Sequence, residues 1–179
     1  YKDSLIIVTG DHGDSFGSHG NIGHGDDPVE EQVRVPLIIK FPENKHEGTK
    51  VAKPVRHMDI VPTIQDYLNL PVKENIEGKS LRSLLTEGDF SKKPISGMYP
   101  LRIYTISNGN YKLQLQNPKE MCEEGANPLS ALYKLESGQS NRTDVSSGNA
   151  EIKSALTSDL CQAFSSAYDR RLANLGDGA

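Results

Sequence analysis

The chain has 179 residues, which suits one ordinary domain or a large domain with a small one. Hydrophobic residues make up 35% and the formal net charge is −4, from 20 basic and 24 acidic residues, so the composition argues against a disordered chain. Basic residues form no run longer than two, so no nucleic-acid-binding surface is indicated. No apolar run approaches the roughly 18 residues of a membrane span.

The first half of the chain reads as strand, loop, strand and helix. Residues 4–9 form an apolar run that predicts a strand buried on both faces of a parallel sheet. Residues 10–28 read as loop and residues 34–41 as a second strand. Residues 59–70 predict a helix, because apolar residues recur at helical spacing and Asp59 can cap the first turn. A further short helical turn is predicted at residues 80–85.

The pattern changes after a polar segment at residues 86–94. Beyond it we predict hairpin strands at 101–107 and 111–116 around Asn108-Gly109-Asn110, a strand at 131–135, a loop at 136–149 and a helix at 151–175. These patterns predict two domains. Residues 1–93 would be part of an α/β layer, and residues 94–179 would form a small antiparallel sheet with a terminal helix. The predicted fold class is therefore α/β with an antiparallel subdomain.

The opening, YKDSLIIVTG, has the run of a central strand after only four residues, so we expect the chain to be a fragment of a longer protein. Cys122 and Cys161 lie in no CxxC or Cys/His cluster, so zinc binding by cysteine is not indicated, and a disulfide is left open. The sequon at Asn141 would accept a glycan only in a eukaryotic secretory context.

The stretch VTGDHGDSFGSHGNIGHGDDP, residues 8–28, concentrates histidine, aspartate and glycine directly after a predicted strand. In open α/β sheets functional groups gather beyond the carboxyl ends of strands. Asp11 and His12 sit just past that end between Gly10 and Gly13, and a carboxylate with an imidazole can bind a divalent cation. Two ligands are too few, because calcium takes six to eight. The other donors must come from elsewhere in the protein or from the substrate.

His24 follows twelve residues after His12, between Gly23 and Gly25. A protonated imidazole there can hold an anionic oxygen or protonate a leaving group. A solvated Gly/Asp/His turn explains the same residues without a site, and the spacing alone does not decide between the two interpretations. Asp14 and Ser15 are interpreted as loop-stabilising side chains that bond the local backbone. A structural role is favoured for His57.

Three ordered blocks carry a resemblance: IIVTGDHGDSFGSHGNIGHG, EEQVRVPLIIKFP and VRHMDIVPTIQDYLNL. Together they cover residues 5 to about 70 and resemble the C-terminal half of sulfatases in the alkaline phosphatase superfamily. More weakly, GNYKLQLQ and ALYKLES resemble strands of that family's C-terminal subdomain, although the usual Asp-Pro after the second strand is absent. The resemblance implies the C-terminal part of an alkaline-phosphatase-like α/β sandwich, followed by the small subdomain.

The resemblance also implies a mechanism. Asp11 and His12 would bind one divalent metal ion, usually calcium, with manganese or zinc as alternatives. His24 would contact the sulfate or the leaving-group oxygen. The nucleophile would be a formylglycine made within a Cys/Ser-x-Pro-x-Arg motif, which these 179 residues lack. We therefore expect the nucleophile in a missing N-terminal half, with which this fragment would pair, and we expect the fragment alone to be inactive.

The implied substrate is a sulfate ester, with a sulfated sugar as the default. Phosphonate or phosphodiester hydrolases and phosphoethanolamine transferases of the same superfamily also show Asp-His-Gly, and a non-catalytic glycan- or partner-binding fragment is the third alternative. Periplasmic, secreted or lysosomal localisation is implied by the family and by nothing else in the sequence.

Overall fold

The computed structural model describes residues 1–17, 20–25, 27–71, 76–86, 95–98, 103–117, 122–123, 129–136 and 139–176. The chain divides into two compact units. Unit 1 holds residues 1–13 and 34–94, and unit 2 holds residues 14–33 and 95–179. The predicted domain boundary falls on residues outside the described ranges and stays a prediction.

Unit 1 contains a two-stranded sheet made of β1 (Ile6–Thr9) and β4 (Leu37–Lys40). The two strands run antiparallel, with Ile6 opposite Lys40 and Thr9 opposite Leu37. The predictions that β1 belongs to a parallel pair and lacks a partner in this chain were therefore wrong. The described residues between the two strands form a short hairpin and one helical turn, whereas parallel strands are usually joined by a crossover helix. Val8 is 56% exposed, so burial on both faces was also not observed.

The predicted helix in unit 1 is α2 (Ile60–Tyr67), preceded by a 3₁₀ turn at His57–Asp59. Asp59 does not cap α2 with its side chain, which corrects the prediction. Its buried carboxylate instead accepts hydrogen bonds from the guanidinium of Arg56 at 2.7 and 3.2 Å and from the backbone N–H of Lys79 at 3.0 Å. The carboxylate also accepts from the backbone N–H of Arg56 at 2.9 Å, so Asp59 fixes the entry of the chain into α2 through this capping box on the 3₁₀ turn together with the ion pair. Further 3₁₀ turns of unit 1 lie at Pro42–Asn44 and at Leu81–Leu85, the latter within the predicted turn.

Unit 2 is built on a five-stranded antiparallel sheet in the order β5-β6-β7-β8-β9. The strands are β5 (Ile95–Met98), β6 (Ile103–Ser107), β7 (Tyr111–Gln116), β8 (Ser130–Glu136) and β9 (Gln139–Asp144). The predicted hairpin is confirmed: Ser107 lies opposite Lys112, and Gly109 takes a positive φ of 94° in the turn. The prediction of a loop over residues 136–149 was wrong, because β9 adds to the edge of β8.

The core of unit 2 lies between this sheet and the long terminal helix α3 (Ala150–Gly176), which a 3₁₀ turn at Ser146–Gly148 precedes. Six fully buried apolar side chains form it: Ile106, Leu113, Leu115, Leu132, Leu156 and Leu160. Phe164 extends the helix stripe and meets the ring of Tyr104 edge-on at 4.5 Å. Cys161 of α3 forms a disulfide with Cys122, which resolves the question left open by the sequence.

Residues 14–33 of unit 2 contain a two-residue hairpin, β2 (Ser15–Phe16) with β3 (Ile22–Gly23), and one helical turn, α1 (Glu30–Val33). The segment that was predicted as a plain loop therefore carries regular structure. In the parts of the chain described here, no helix combines the length and the apolar character that a membrane crossing requires.

Candidate active site

Asp11 and His12 lie two and three residues after β1 in unit 1. Gly10 makes their placement possible, because a Cβ atom there would lie 3.1 Å from the carbonyl oxygen of His12 and 3.5 Å from Cγ1 of Val35. The first distance is tight, so a larger residue at position 10 would require a shift of a few tenths of an ångström, whereas the second is ordinary van der Waals contact. Gly10 therefore allows the close approach of the His12 carbonyl at the end of β1.

The two side chains are brought together by bonds to their own backbone. Asp11 accepts a hydrogen bond from the backbone N–H of His12 at 3.0 Å, and its second carboxylate oxygen lies 3.9 Å from Nε2 of His12. Nδ1 of His12 lies 3.1 Å from the carbonyl oxygen of Gly13. Since a carbonyl can only accept, Nδ1 carries the proton, and in the neutral ring Nε2 presents its lone pair.

This arrangement fits a divalent cation. A histidine that binds a metal commonly donates its other ring N–H to a carbonyl, as His12 does to Gly13. Donor atoms that share a cation at about 2.3–2.6 Å cannot be more than about 5 Å apart, and the 3.9 Å between Asp11 and His12 meets that limit. The carboxylate favours calcium or manganese, whereas the imidazole favours zinc and related metals. The donor set therefore accommodates all three of the ions that the sequence suggested.

His24 lies in unit 2, directly after β3. Its neighbours Gly23 and Gly25 have φ angles of +89° and +99°, a region that side chains with a Cβ rarely adopt. Nδ1 of His24 donates to Oδ1 of Asp14 at 2.7 Å. The expectation that Asp14 bonds only the local backbone was wrong, since its partner is the imidazole ten residues later. The carboxylate thus orients the ring by fixing which nitrogen faces Asp14.

Gln32 of α1 holds the backbone on both sides of His24. Its Oε1 accepts from the N–H of Gly25 at 3.1 Å, and its Nε2 donates to the carbonyl of Gly23 at 3.3 Å. Nε2 also donates to Oγ of Ser15 at 3.0 Å, so Ser15 too bonds a distant side chain rather than the local backbone. Sequence reasoning did not find Gln32, because one glutamine in a short polar turn carries no spacing signal.

Lys112 of β7 ties the same segment to the sheet. Its ammonium donates to Oε1 of Glu30 at 2.7 Å and to the backbone carbonyl of Pro28. Lys112 is only 3% exposed, and burial lowers the pKa of its ammonium, although the neighbouring Glu30 acts in the opposite direction. This buried pair connects residues 82 positions apart in the sequence. It holds the beginning of α1 against the hairpin strands.

The remaining histidines of this region have other positions. Nε2 of His57 lies 3.3 Å from Oγ1 of Thr9 within unit 1, a contact between exposed groups that agrees with the structural role expected for His57. His19, to which no role was assigned, lies outside the described residues.

The sequence model of the sulfatase family matches residues 1–70. Over these residues, fewer than half of the 179, the chain is similar to the sulfatase family of the alkaline phosphatase superfamily. The matched range contains Asp11, His12 and His24, and it ends within the polypeptide that follows α2. The family resemblance seen in the sequence is thereby confirmed.

Curated relatives match the chain over different lengths. A multifunctional alkaline phosphatase superfamily protein, PehA of Trinickia caryophylli, is 36% identical over 49% of this chain and 17% of its own length. Human arylsulfatase K is 27% identical over 89% of the chain and 31% of its own length. An ulvan-active sulfatase of Formosa agariphila is 25% identical over 71% of the chain and 28% of its own length. The chain thus spans less than a third of these sulfatases and less than a fifth of PehA.

Solved structures confirm the fold. A 2-O GAG sulfatase superposes with a TM-score of 0.69 at 21% identity, over 96% of this chain and 38% of that one. A phosphonate monoester hydrolase from Silicibacter pomeroyi superposes with a TM-score of 0.68 at 22% identity, over 95% and 36%. The fold class, the C-terminal part of an alkaline-phosphatase-like α/β protein with an antiparallel subdomain, is therefore correct.

Proposed function

We propose that this chain is part of a metal-dependent sulfatase that hydrolyses sulfate esters. One observation carries the proposal: within the range that matches the family, a carboxylate and an imidazole nitrogen lie 3.9 Å apart just beyond a strand. The lone pair on Nε2 of His12 and the second oxygen of Asp11 are suited to the same cation.

In this proposal Asp11 and His12 hold one divalent ion, calcium by family resemblance and manganese or zinc by alternative donor chemistry. When bound, the ion would neutralise charge on the sulfate oxygens. The remaining ligands come from elsewhere in the protein or from the substrate, because two donors leave the ion's coordination incomplete. A formylglycine from the N-terminal half is proposed as the nucleophile, since the chain contains no Cys/Ser-x-Pro-x-Arg motif.

His24 is proposed to contact the sulfate or the departing oxygen. Its Nδ1 is committed to Asp14, so Nε2 is the atom that can serve the substrate. A ring oriented by a carboxylate at Nδ1 can present Nε2 to hydrogen-bond an anionic oxygen and to donate a proton as the ester bond breaks. The half-exposed position of His24 leaves a substrate able to approach it.

A sulfated sugar is the proposed substrate class. One superposed structure was solved with D-glucosamine-2-N,6-O-disulfate as its substrate, and a curated relative is an ulvan-active sulfatase. Both facts belong to those proteins and support the class only through the shared family.

The proposal is tested on the full-length protein with 4-nitrophenyl sulfate as the probe and with calcium, manganese or zinc added after chelation. We expect metal-dependent release of nitrophenol that Asp11→Ala and His24→Ala each reduce by about a hundredfold or more. Asp3→Ala, at an exposed aspartate of the same unit, is the control and should retain full activity. Equal activity in Asp11→Ala and the wild type would refute the proposal.

A second candidate function is hydrolysis of phosphonate monoesters or phosphodiesters. The superposition on a phosphonate monoester hydrolase supports it. The same assay with phenyl phosphonate monoesters and bis(4-nitrophenyl) phosphate separates the two functions. Turnover of these substrates with a higher kcat/KM than that of the sulfate would replace the first proposal by the second.

A further inference from the structure

The amide of Gln32 is the buried group near His24 that the proposed mechanism does not use. Gln32 is 3% exposed, yet both ends of its amide are hydrogen-bonded. A buried polar group that lacks a hydrogen bond costs folding free energy. Removing the amide of Gln32 would therefore leave its partners buried without their hydrogen bonds. The partners here are the residues immediately before and after His24.

His24 needs such support because its own backbone is unusually free. Gly23 and Gly25 both occupy the positive-φ region, and glycine loses more conformational freedom on folding than any other residue. A residue between two glycines would sample many orientations in a half-exposed loop. The bonds from Gln32 to the carbonyl of Gly23 and the N–H of Gly25 fix both peptide planes at once.

The support is itself fixed to a rigid element. Gln32 lies on α1, whose first residue Glu30 pairs with Lys112 at 2.7 Å. Lys112 lies on β7 next to Leu113, which is fully buried in the core of the sheet. A side chain held by a packed strand is located more accurately than one held by loop contacts alone. The path from the sheet core to His24 therefore runs through Lys112, Glu30 and Gln32.

We propose that Gln32 is a positioning residue for His24, and that the Lys112–Glu30 pair anchors Gln32 to the five-stranded sheet of unit 2. The inference rests on the proposed function, in which Nε2 of His24 serves the substrate. Gln32 touches neither substrate nor metal in this account. It holds the backbone so that Asp14 can orient the imidazole.

The decisive variant is Gln32→Met, because methionine is close to glutamine in length and keeps the buried volume while it removes the amide bonds. Gln32→Ala serves as the second variant, and Gln162→Ala, at an exposed glutamine on α3, is the matched control. All are made in the full-length protein, and thermal melting identifies the variants that fold. Turnover of 4-nitrophenyl sulfate is compared with the NMR signal of the His24 ring, assigned by its loss in His24→Gln.

We expect Gln32→Met to lower kcat by about tenfold with KM changed by less than about threefold, and to shift the His24 ring signal. Gln162→Ala should change neither. If a folded Gln32→Met keeps the wild-type kcat, or if the His24 signal is unaltered, the inference is wrong. Failure of the proposed sulfatase function would give other results than failure of the Gln32 inference. In that case the wild type would not hydrolyse 4-nitrophenyl sulfate, or His24→Ala would hydrolyse it at the wild-type rate. The ring signal would still decide whether Gln32 positions His24.

Discussion

Nδ1 of His24 and Oδ1 of Asp14 are 2.7 Å apart, and the ring nitrogen is the donor. Both residues belong to unit 2 and both side chains are about half-exposed, at 54% and 44%. The pair joins the residue before β2 to the residue after β3, so it closes the base of the hairpin as well as orienting the ring. Its two possible roles, holding the hairpin and preparing the imidazole, can be separated by substitution.

Asp14→Asn should lower kcat for sulfate hydrolysis by about ten- to a hundredfold. The asparagine keeps the shape of the side chain, but it replaces a charged acceptor of the Nδ1–H bond by a weaker neutral amide oxygen, or by an N–H that cannot accept. The ring is then no longer held with its proton on Nδ1. Steady-state kinetics of the full-length protein measure the effect.

Asp3→Asn is the control for that substitution, since Asp3 is exposed in unit 1. Its kinetics should equal those of the wild type. A wild-type kcat in a correctly folded Asp14→Asn variant would show that the pair serves only the hairpin.

Metal binding should depend on Asp11 and His12. We expect calcium, manganese or zinc to raise the melting temperature of the full-length protein, because a ligand that binds only the folded state stabilises it. Asp11→Ala should abolish the rise, and His12→Ala should reduce it more for zinc than for calcium, since imidazole is the ligand that zinc prefers. Differential scanning fluorimetry after chelation measures the shifts, with Asp3→Ala as the control. A full metal shift in Asp11→Ala would contradict the assignment.

Removal of the Cys122–Cys161 disulfide should destabilise unit 2. The bond closes a loop with a sequence separation of 39 residues, for which the chain-entropy estimate is roughly 4 kcal/mol, with about 2–4 expected in practice. The double substitution Cys122→Ser and Cys161→Ser should therefore lower the urea midpoint. Addition of a reductant should lower the midpoint of the wild type and leave that of the double variant unchanged.

Asp144 should give the protein a specific sensitivity to acid. Burial acts to raise the pKa of its carboxyl, but hydrogen bonds from the Ser146 side chain and from the backbone N–H groups of Leu132 and Ser146 outweigh it, and the pKa lies below 3.8. Because the folded state favours the ionised form, the stabilisation is present above pH 3.8 and is lost as the pH falls through the lower folded-state value.

Asp144→Asn should accordingly be less stable than the wild type at about pH 6, and the difference should shrink as the pH falls below about 4. The free energy of unfolding in urea, measured across this range for both proteins, tests the prediction. A difference that stays constant with pH would mean that the ionised carboxylate is not responsible.

The stability of unit 2 should fall when a buried side chain of α3 is shortened to alanine. Leu160 is fully buried, so Leu160→Ala should cost about 2–5 kcal/mol of unfolding free energy. Leu129 is 78% exposed, and Leu129→Ala should change stability by less than about 0.5 kcal/mol. Equal midpoints for the two variants in chemical denaturation would contradict the assigned core.

The elements with a strong periodic pattern were predictable from the sequence. The stripe of Ile152, Leu156, Leu160 and Phe164 gave α3 its position and its buried face. Asn108-Gly109-Asn110 located the hairpin, since glycine supplies the positive φ that the turn needs. The position of Asp11 and His12 after β1 was also predictable, because it depends on local order along the chain, whereas the strand before His24 was not predicted.

Features that depend on distant partners were not predictable. β9 has the sequence QSNRTD, which lacks alternating apolar residues, and it pairs through backbone groups that β8 offers at its edge. The direction of the β1–β4 pair depends on the connection between the strands rather than on either strand. The bonds from Gln32 to Ser15 and from Lys112 to Glu30 join residues 17 and 82 positions apart, a separation at which composition and spacing carry no information.

The ion pair between Lys112 and Glu30 also limits which segments of this protein could be exchanged with those of a relative by recombination. Recombination that joined residues 14–33 of this protein to the C-terminal subdomain of a relative without a lysine at the matching place would leave the Glu30 carboxylate buried without its cation. The same penalty would fall on Lys112 in the reciprocal chimera. The two segments are therefore expected to be inherited together, even though about sixty residues of unit 1 separate them in the sequence.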